Sequence, residues 1–518
     1  MALLRSISTF GGLTLISRVL GFVRDILLAS FLGASLVADC FFVAFKLPNF
    51  FRRLFAEGAF NAAFVPLFCG ILGDRGEAQG RARAKRFAEE ALAVLLPILL
   101  LFTALMQAAM PWVMVALAPG FVDDPEKFDL AVDLTRSTFP YLMLISLVSL
   151  MAGVLNSLNR FVASASAPIL LNLCLIGSII FFHDNDFLAG RALARAVTVA
   201  GIAQLVWLTV AMHKAGMSLR LRWPRLTPKV KSLGIIMLPA ALGAGAVQVN
   251  LVIDIILASL LPEGSLSYLF YADRLNQLPI GVIGVAVGTV LLPAMSRKLA
   301  EGETAAAIEQ QNRAMEVALL ITVPAAVALA VIPGPLITVL FERGAFDSSA
   351  TAATAMALSA YAAGLPAYVL IKILTPGFFS RHDTRTPVKI SLVALAVNIV
   401  LNVILMIPFK HVGLALATAI SAWVNVGLLY LVLRRRGHFE IDPRLRRKLV
   451  GIGAAAAGMG LAVFLLAGYL SAFFAGSLAA KIAGLAGLIL AGLAVYGLLA
   501  WVFRLFRIGD IRQLLGRS

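Results

Sequence analysis

Apolar runs of about 20 residues, separated by short polar stretches, recur along the whole chain, which is the spacing of transmembrane helices. They predict fourteen helical spans, at roughly 7–33, 36–71, 88–116, 131–155, 162–182, 192–212, 233–260, 267–295, 314–341, 351–379, 388–408, 412–433, 449–469 and 482–503. Pro48 and Pro66 interrupt the second span, so a bend is expected there, because proline removes a backbone donor and crowds the preceding turn.

Composition sharpens the class. Of the 518 residues 60% are hydrophobic and only 14% charged, with a mean hydropathy of +0.93. An ordinary soluble chain is about 25% charged. The expectation is an all-α polytopic membrane protein with no stretch polar enough for a soluble domain. Cys40, Cys69 and Cys174 lie in apolar segments without metal-ligand spacing and read as packing residues. No small-residue cleavage site follows a short apolar core near the start, so no cleaved leader is expected.

Charge sets the orientation. With the N-terminus in the cytoplasm, 29 of the 44 Lys and Arg residues fall in inner loops and tails, and the outer loops hold only Lys127, Arg191, Arg343, Lys410 and Lys481. That asymmetry places both termini inside. It also accounts for the net charge of +17. Nucleic-acid binding is excluded as its cause, because the basic residues are scattered over short loops. The acidic outer stretch 123–126 and the basic inner stretch 220–225 read as solvated connectors, the inner one facing anionic lipid.

The two halves resemble each other at an offset of 224–229 residues. Residues 25–32 (DILLASFL) align with 254–261 (DIILASLL), Pro97 with Pro324, Pro111 with Pro335, Pro140 with Pro366, and Asn172 with Asn398. A six-helix period restores the same orientation, so these are parallel repeats about an axis along the membrane normal. The expected organisation is an N-lobe at 1–215, a cytoplasmic linker at 216–232, a C-lobe at 233–433, and a C-terminal helix pair with a basic tail at 434–518. Transporters of this build place substrate between lobes and rock them.

Ionisable residues inside spans concentrate in the first two helices of each lobe. A cation at membrane depth costs roughly 2.5–3.5 kcal/mol on insertion scales, so several together need water, a partner or a substrate. Arg18 and Arg24 are six apart and can share a broad helix face. Arg52 and Arg53 are adjacent and point about 100° apart. Arg274 is the counterpart in the second lobe. Arginines beside few carboxylates suit a bidentate oxyanion such as phosphate or pyrophosphate. The competing reading is internal pairing: Arg24 with Asp25, Asp273 with Arg274, and Asp39 or Glu57 against Arg18, Arg52 or Arg53. The two overlap, since a gate is paired in one state and open in another; Asp25, Glu57 and Arg53 are the candidate gating residues. Lys46 and Arg53 can also snorkel to headgroups.

An oxygen-rich set comprises Asp254, Asn398, Asn402 and Thr418, with the two asparagines four apart on one helix face. It offers hard ligands to a monovalent cation such as sodium. The alternative is interhelical hydrogen bonding. No GxxxxGK[ST] loop, paired-Cys or His metal motif, or nucleophile with its base is present, so neither an ATP-driven pump nor an enzyme is expected.

Residues 17–25 (SRVLGFVRD), 39–49 (DCFFVAFKLPN), 52–60 (RRLFAEGAF) with 64–66 (FVP), and 271–275 (YADRL) strongly resemble the MurJ (MviN) family of lipid II flippases, within the multidrug/oligosaccharidyl-lipid/polysaccharide exporter superfamily. The resemblance extends over essentially the whole chain. It implies a transporter moving lipid II (undecaprenyl-pyrophosphate-linked disaccharide pentapeptide) across the bacterial cytoplasmic membrane for cell-wall synthesis, with cell-wall synthases as partners and no cofactor beyond a sodium ion. It further implies that Arg18, Arg24, Arg52 and Arg274 bind substrate, with Asp39 as a cavity acid, Ser267 at a cavity position and Asp25 in the gate. Gln277 departs from the glutamate that some members carry. The rival functions are a cation-coupled exporter of a drug or another polyprenyl-linked saccharide, and a non-transporting cell-wall scaffold.

Overall fold

The structure is a computed structural model that describes residues 2–53, 60–73, 77–182 and 185–505, with the side chains of 2–10, 62, 77, 238, 240–247 and 282–289 outside the description. Every regular element among the described residues is helical. The chain opens with α1 (Ala2–Leu32), α2 (Leu36–Phe51), α3 (Asn61–Gly73) and α4 (Glu77–Leu117). It continues with α5 (Pro125–Thr138), α6 (Tyr141–Ser157), α7 (Val162–Phe181), α8 (Asp186–Lys214) and α9 (Pro228–Ser259). Then come α10 (Ser265–Ala300), α11 (Thr304–Val331), α12 (Pro333–Leu340), α13 (Ser348–Leu374) and α14 (Pro376–Phe379). The last are α15 (Arg385–Arg435), α16 (Pro443–Tyr469), α17 (Ser471–Phe474) and α18 (Leu478–Val502).

Local chemistry sets many of these boundaries. Asp124, Thr227 and Asp442 each accept a hydrogen bond from the backbone three residues on and are each followed by proline, at the starts of α5, α9 and α16. That pairs an N-cap acceptor with the one residue that loses nothing at a first helical position. α1 stops at Gly33, whose φ of 60° is open to glycine at little cost. In the second expected span α2 runs through Pro48 and α3 through Pro66; Arg52 and Arg53 lie in a π-helical turn, a geometry common at functional sites, and residues 54–59 fall outside the description. α15 folds back on itself at Lys410, with φ 50° and ψ −130°, so the expected spans 388–408 and 412–433 are the two arms of one hairpin.

Nine helices among the described residues are long and apolar enough to cross a membrane, against fourteen expected spans. Two expected spans merge in α15, and α1 carries Arg18, Arg24 and Asp25 through its central stretch. The outward faces of α16 and α18 remain apolar, with Leu461, Phe464, Leu490 and Leu493 more than half exposed, as a hydrocarbon environment requires.

The chain divides into two compact units, Met1–Ser267 and Tyr268–Ser518. In the first, α2 is the centre: every residue from Val37 to Phe45 is buried, against α5, α8 and α6. A helix buried all round is what uniform apolarity predicts. α1 packs on α7, and a stack of Phe60, Phe64, Phe68 and Phe87 holds α3 to α4 with centroids 5.1–5.5 Å apart. α9 packs on α3 and α4 in this unit, although the sequence repeat begins at its start. In the second unit α11, α13, α15 and α16 enclose an apolar core that includes Leu319, Ile373, Leu429 and Ile452. α16 and α18 pack on each other there.

Candidate functional site

Arg24 is buried, at 7% exposure, on the face of α1 that meets α7. Its Nε and Nη2 donate to Asp25 Oδ1 at 2.9 and 2.6 Å. Its Nη1 donates to Asn172 Oδ1 at 3.0 Å, and the Asn172 amide donates to the Ser17 carbonyl at 2.9 Å. The Phe45 ring lies 5.7 Å from the guanidinium carbon. The internal pair expected from sequence is therefore formed. Three of the five guanidinium N–H groups are used, which leaves one on Nη1 and one on Nη2. A guanidinium so held keeps donors in reserve for an oxyanion.

Asp39 and Ser267 are brought together. Asp39 sits in the first turn of α2 at 1% exposure. Its Oδ1 accepts from the Ser267 backbone N–H at 2.9 Å and the Ser267 hydroxyl at 2.7 Å, and its Oδ2 from the Gly264 N–H at 2.8 Å. Ser267 lies in the first turn of α10 and Gly264 just before it, and a helix N-terminus favours a carboxylate. Lys127 Nζ stands 3.9 Å from Oδ2 and 4.4 Å above the Phe121 ring. The cation facing Asp39 is thus Lys127, not Arg18, Arg52 or Arg53.

The remaining sequence candidates lie as follows. Arg18 is exposed on α1, about one and a half turns before Arg24. Arg52 is half-buried and its Nε donates to Asn49 Oδ1 at 3.1 Å; Arg53 beside it is exposed. Glu57 lies outside the described residues. Arg274 belongs to the second unit, half-buried on α10, with its guanidinium 4.5 Å from the Phe270 ring centroid. Its neighbour Asp273 accepts from Gln277, the position that departs from the family's acid.

Of the oxygen-rich set, Asp254 is on α9 in the first unit and accepts from Asn250 at 3.4 Å. The other three are in the α15 hairpin. Asn402 donates to Asn398 Oδ1 at 3.0 Å, and Asn398 donates to Thr418 and Ser421 at 3.5 and 3.4 Å. The two Asn398 donations staple the two arms, as the hydrogen-bonding reading requires, while the Asn402 bond stays within the first arm. The aligned position in the other repeat, Asn172, holds an arginine instead.

Several functional-looking residues escaped sequence reasoning. Asn172 registered only as a repeat match, and Lys127 only as an outer-loop charge. The stretch 220–225 is strapped to α4: the Arg220 N–H and the Arg222 Nε donate to buried Glu89 at 3.1 and 2.6 Å. In the second unit Glu316, 6% exposed, gathers Arg313, Arg444 and Lys448, while Arg313 also reaches Asp442. A buried glutamate ringed by cations joins α11 to the start of α16.

A family model described as lipid II flippase MurJ matches residues 28–484. The probable lipid II flippase MurJ of Rhizobium tropici is 45% identical over 527 residues, covering 100% of this chain and 97% of its own length. A solved lipid II flippase MurJ in an inward closed conformation superposes with a TM-score of 0.77 at 25% identity, over 95% of this chain and 98% of that one. An inward-facing multidrug resistance MATE family transporter of the MOP superfamily shares the fold, with a TM-score of 0.63 at 14% identity over 83% of this chain and 98% of that one. With near-complete coverage and the arginine-bearing helices in place, the chain belongs to the lipid II flippase MurJ family.

Proposed function

We propose that this protein flips lipid II from the inner to the outer leaflet of the bacterial cytoplasmic membrane, with both termini cytoplasmic. It is a transporter, not an enzyme: the head group crosses unchanged. The observation that carries the reading is the buried guanidinium of Arg24, held by Asp25 and Asn172 with two N–H groups to spare. A cation kept at that depth is costly unless it serves a charged cargo. A diphosphate-sugar head cannot cross hydrocarbon unaided, and a guanidinium fork matches phosphate oxygens. Arg18, Arg24, Arg52 and Arg274 are the proposed diphosphate contacts, each at one stage or another of an alternating-access cycle. Asp25 is the gating partner, since it must release Arg24 for the guanidinium to turn fully to substrate.

Cell-wall synthases, which consume lipid II at the outer face, are the proposed functional partners. The test is depletion of this protein in its host, followed by an assay of lipid II accessible at the outer face of the membrane. Accumulation of inaccessible lipid II is the expected result. Undiminished outer-face lipid II would overturn the reading.

A further inference from the structure

Asn172 is 5% exposed and sits on α7, 148 residues from the arginine it touches. Both ends of its amide are committed to α1. Oδ1 accepts from Arg24 Nη1 at 3.0 Å, and Nδ2 donates to the Ser17 carbonyl at 2.9 Å. Residues 17 and 24 are two turns apart, so one side chain spans the face between them. Gly21 lies midway: a Cβ there would stand 3.6 Å from Asn172 Nδ2, in ordinary van der Waals contact, so the amide lies flat along this face of α1.

The orientation has a chemical consequence. Asp25 holds the Nε edge of Arg24 through a single oxygen, Oδ1, about which the rigid guanidinium plane could still swing. Asn172 fixes Nη1, and a fixed amide orientation is assured because its own NH₂ is engaged by a carbonyl, which cannot donate. The two remaining N–H groups, one on each terminal nitrogen, are then set in advance. Pre-set donors bind an anion without first paying the ordering entropy of a long side chain.

We propose that Asn172 is a positioning residue for Arg24, presenting its terminal nitrogens to the diphosphate of the substrate. The inference rests on the assignment of Arg24 to the diphosphate. The aligned residue of the other repeat supports a specific role: among the described residues Asn398 bonds polar side chains of its own hairpin, and the position matching Arg24 there is Ile253.

The test is a double-mutant cycle on the full chain in nanodiscs, titrated with purified lipid II. Asn172→Ala removes a hydrogen bond to a charged group and is expected to weaken lipid II binding about tenfold. In an Arg24→Ala background the same change is expected to have no further effect, because the residue it acts through is gone. Equal weakening in both backgrounds means a packing role and overturns the proposal, as does wild-type affinity in Asn172→Ala. Wild-type affinity in Arg24→Ala itself would instead sink the diphosphate assignment and the proposal with it. If Asn172→Ala fails to accumulate in the membrane, Asn172→Ser takes its place, since a serine hydroxyl stops short of Nη1.

Discussion

Replacing Asp39 with asparagine keeps the side chain's shape and removes its charge. Two losses follow. The first is the attraction to Lys127, whose Nζ lies 3.9 Å away, with the two side chains 10% and 2% exposed. At that distance the direct attraction is about 4 kcal/mol for an effective dielectric near 20. Desolvation of both ions offsets part of it, leaving a net coupling of about 2 kcal/mol. The second loss is at the start of α10, where a carboxylate accepting two backbone N–H groups gives way to an amide that brings its own donors; a cap of this kind is worth about 1 kcal/mol. Asp39→Asn should therefore destabilise the first unit by about 3 kcal/mol. Chemical denaturation of the purified full chain in detergent measures it. Adding Lys127→Met should restore about 2 kcal/mol, because the stranded ammonium is gone. An Asp39→Asn variant within about 0.5 kcal/mol of wild type would refute this account of Asp39, and so would a double variant no more stable than the single.

Three further outcomes are expected. Arg24→Lys keeps the charge but loses the fork that serves Asp25 and Asn172 together, so lipid II binding should fall about tenfold or more in a titration. Glu316→Ala leaves Arg444 and Lys448 without their carboxylate and should cost about 2–3 kcal/mol of stability by denaturation, less than a fully buried pair because the cations reach water. Hydrogen bonds from the Thr386 hydroxyl and backbone N–H, then from the Arg436 guanidinium, hold the Asp383 carboxyl well below the usual carboxylate range. A depressed folded value gives stability that is present above about pH 4 and lost as pH falls through the folded value. Asp383→Asn should thus be less stable than wild type at neutral pH, with the difference shrinking below about pH 4 in a pH series of unfolding midpoints.

What the sequence revealed tracks the range over which each interaction acts. The helices and the Arg24–Asp25 pair depend on neighbours within a few residues, and both were legible. The proline-flanked caps at Asp124, Thr227 and Asp442 are just as local, but the reading of 123–126 as a solvated connector passed over the first of them. The partners of Asp39 were not legible. Lys127 is 88 positions away and reads as one more charge beside an acidic loop, yet it is buried. Helical periodicity says which face a residue occupies and nothing about which helix that face will meet. For the same reason α9 counted with the second repeat, whereas its packing places it with α3 and α4. Asn172 carried one usable signal: a lone amide in an apolar span, aligned with another in the repeat.

The reversal at Lys410 makes α15 a hairpin with almost no loop. A longer turn can absorb a change in length, but this one transmits it. One residue inserted beside Lys410 would rotate the second arm by about 100° against the first. Thr418 and Ser421 would then swing away from Asn398, and a lipid-facing side chain would replace them. The tip of this hairpin is thus a counting device, in which the exact number of residues between Asn398 and Ser421 is as much a part of the structure as their identity.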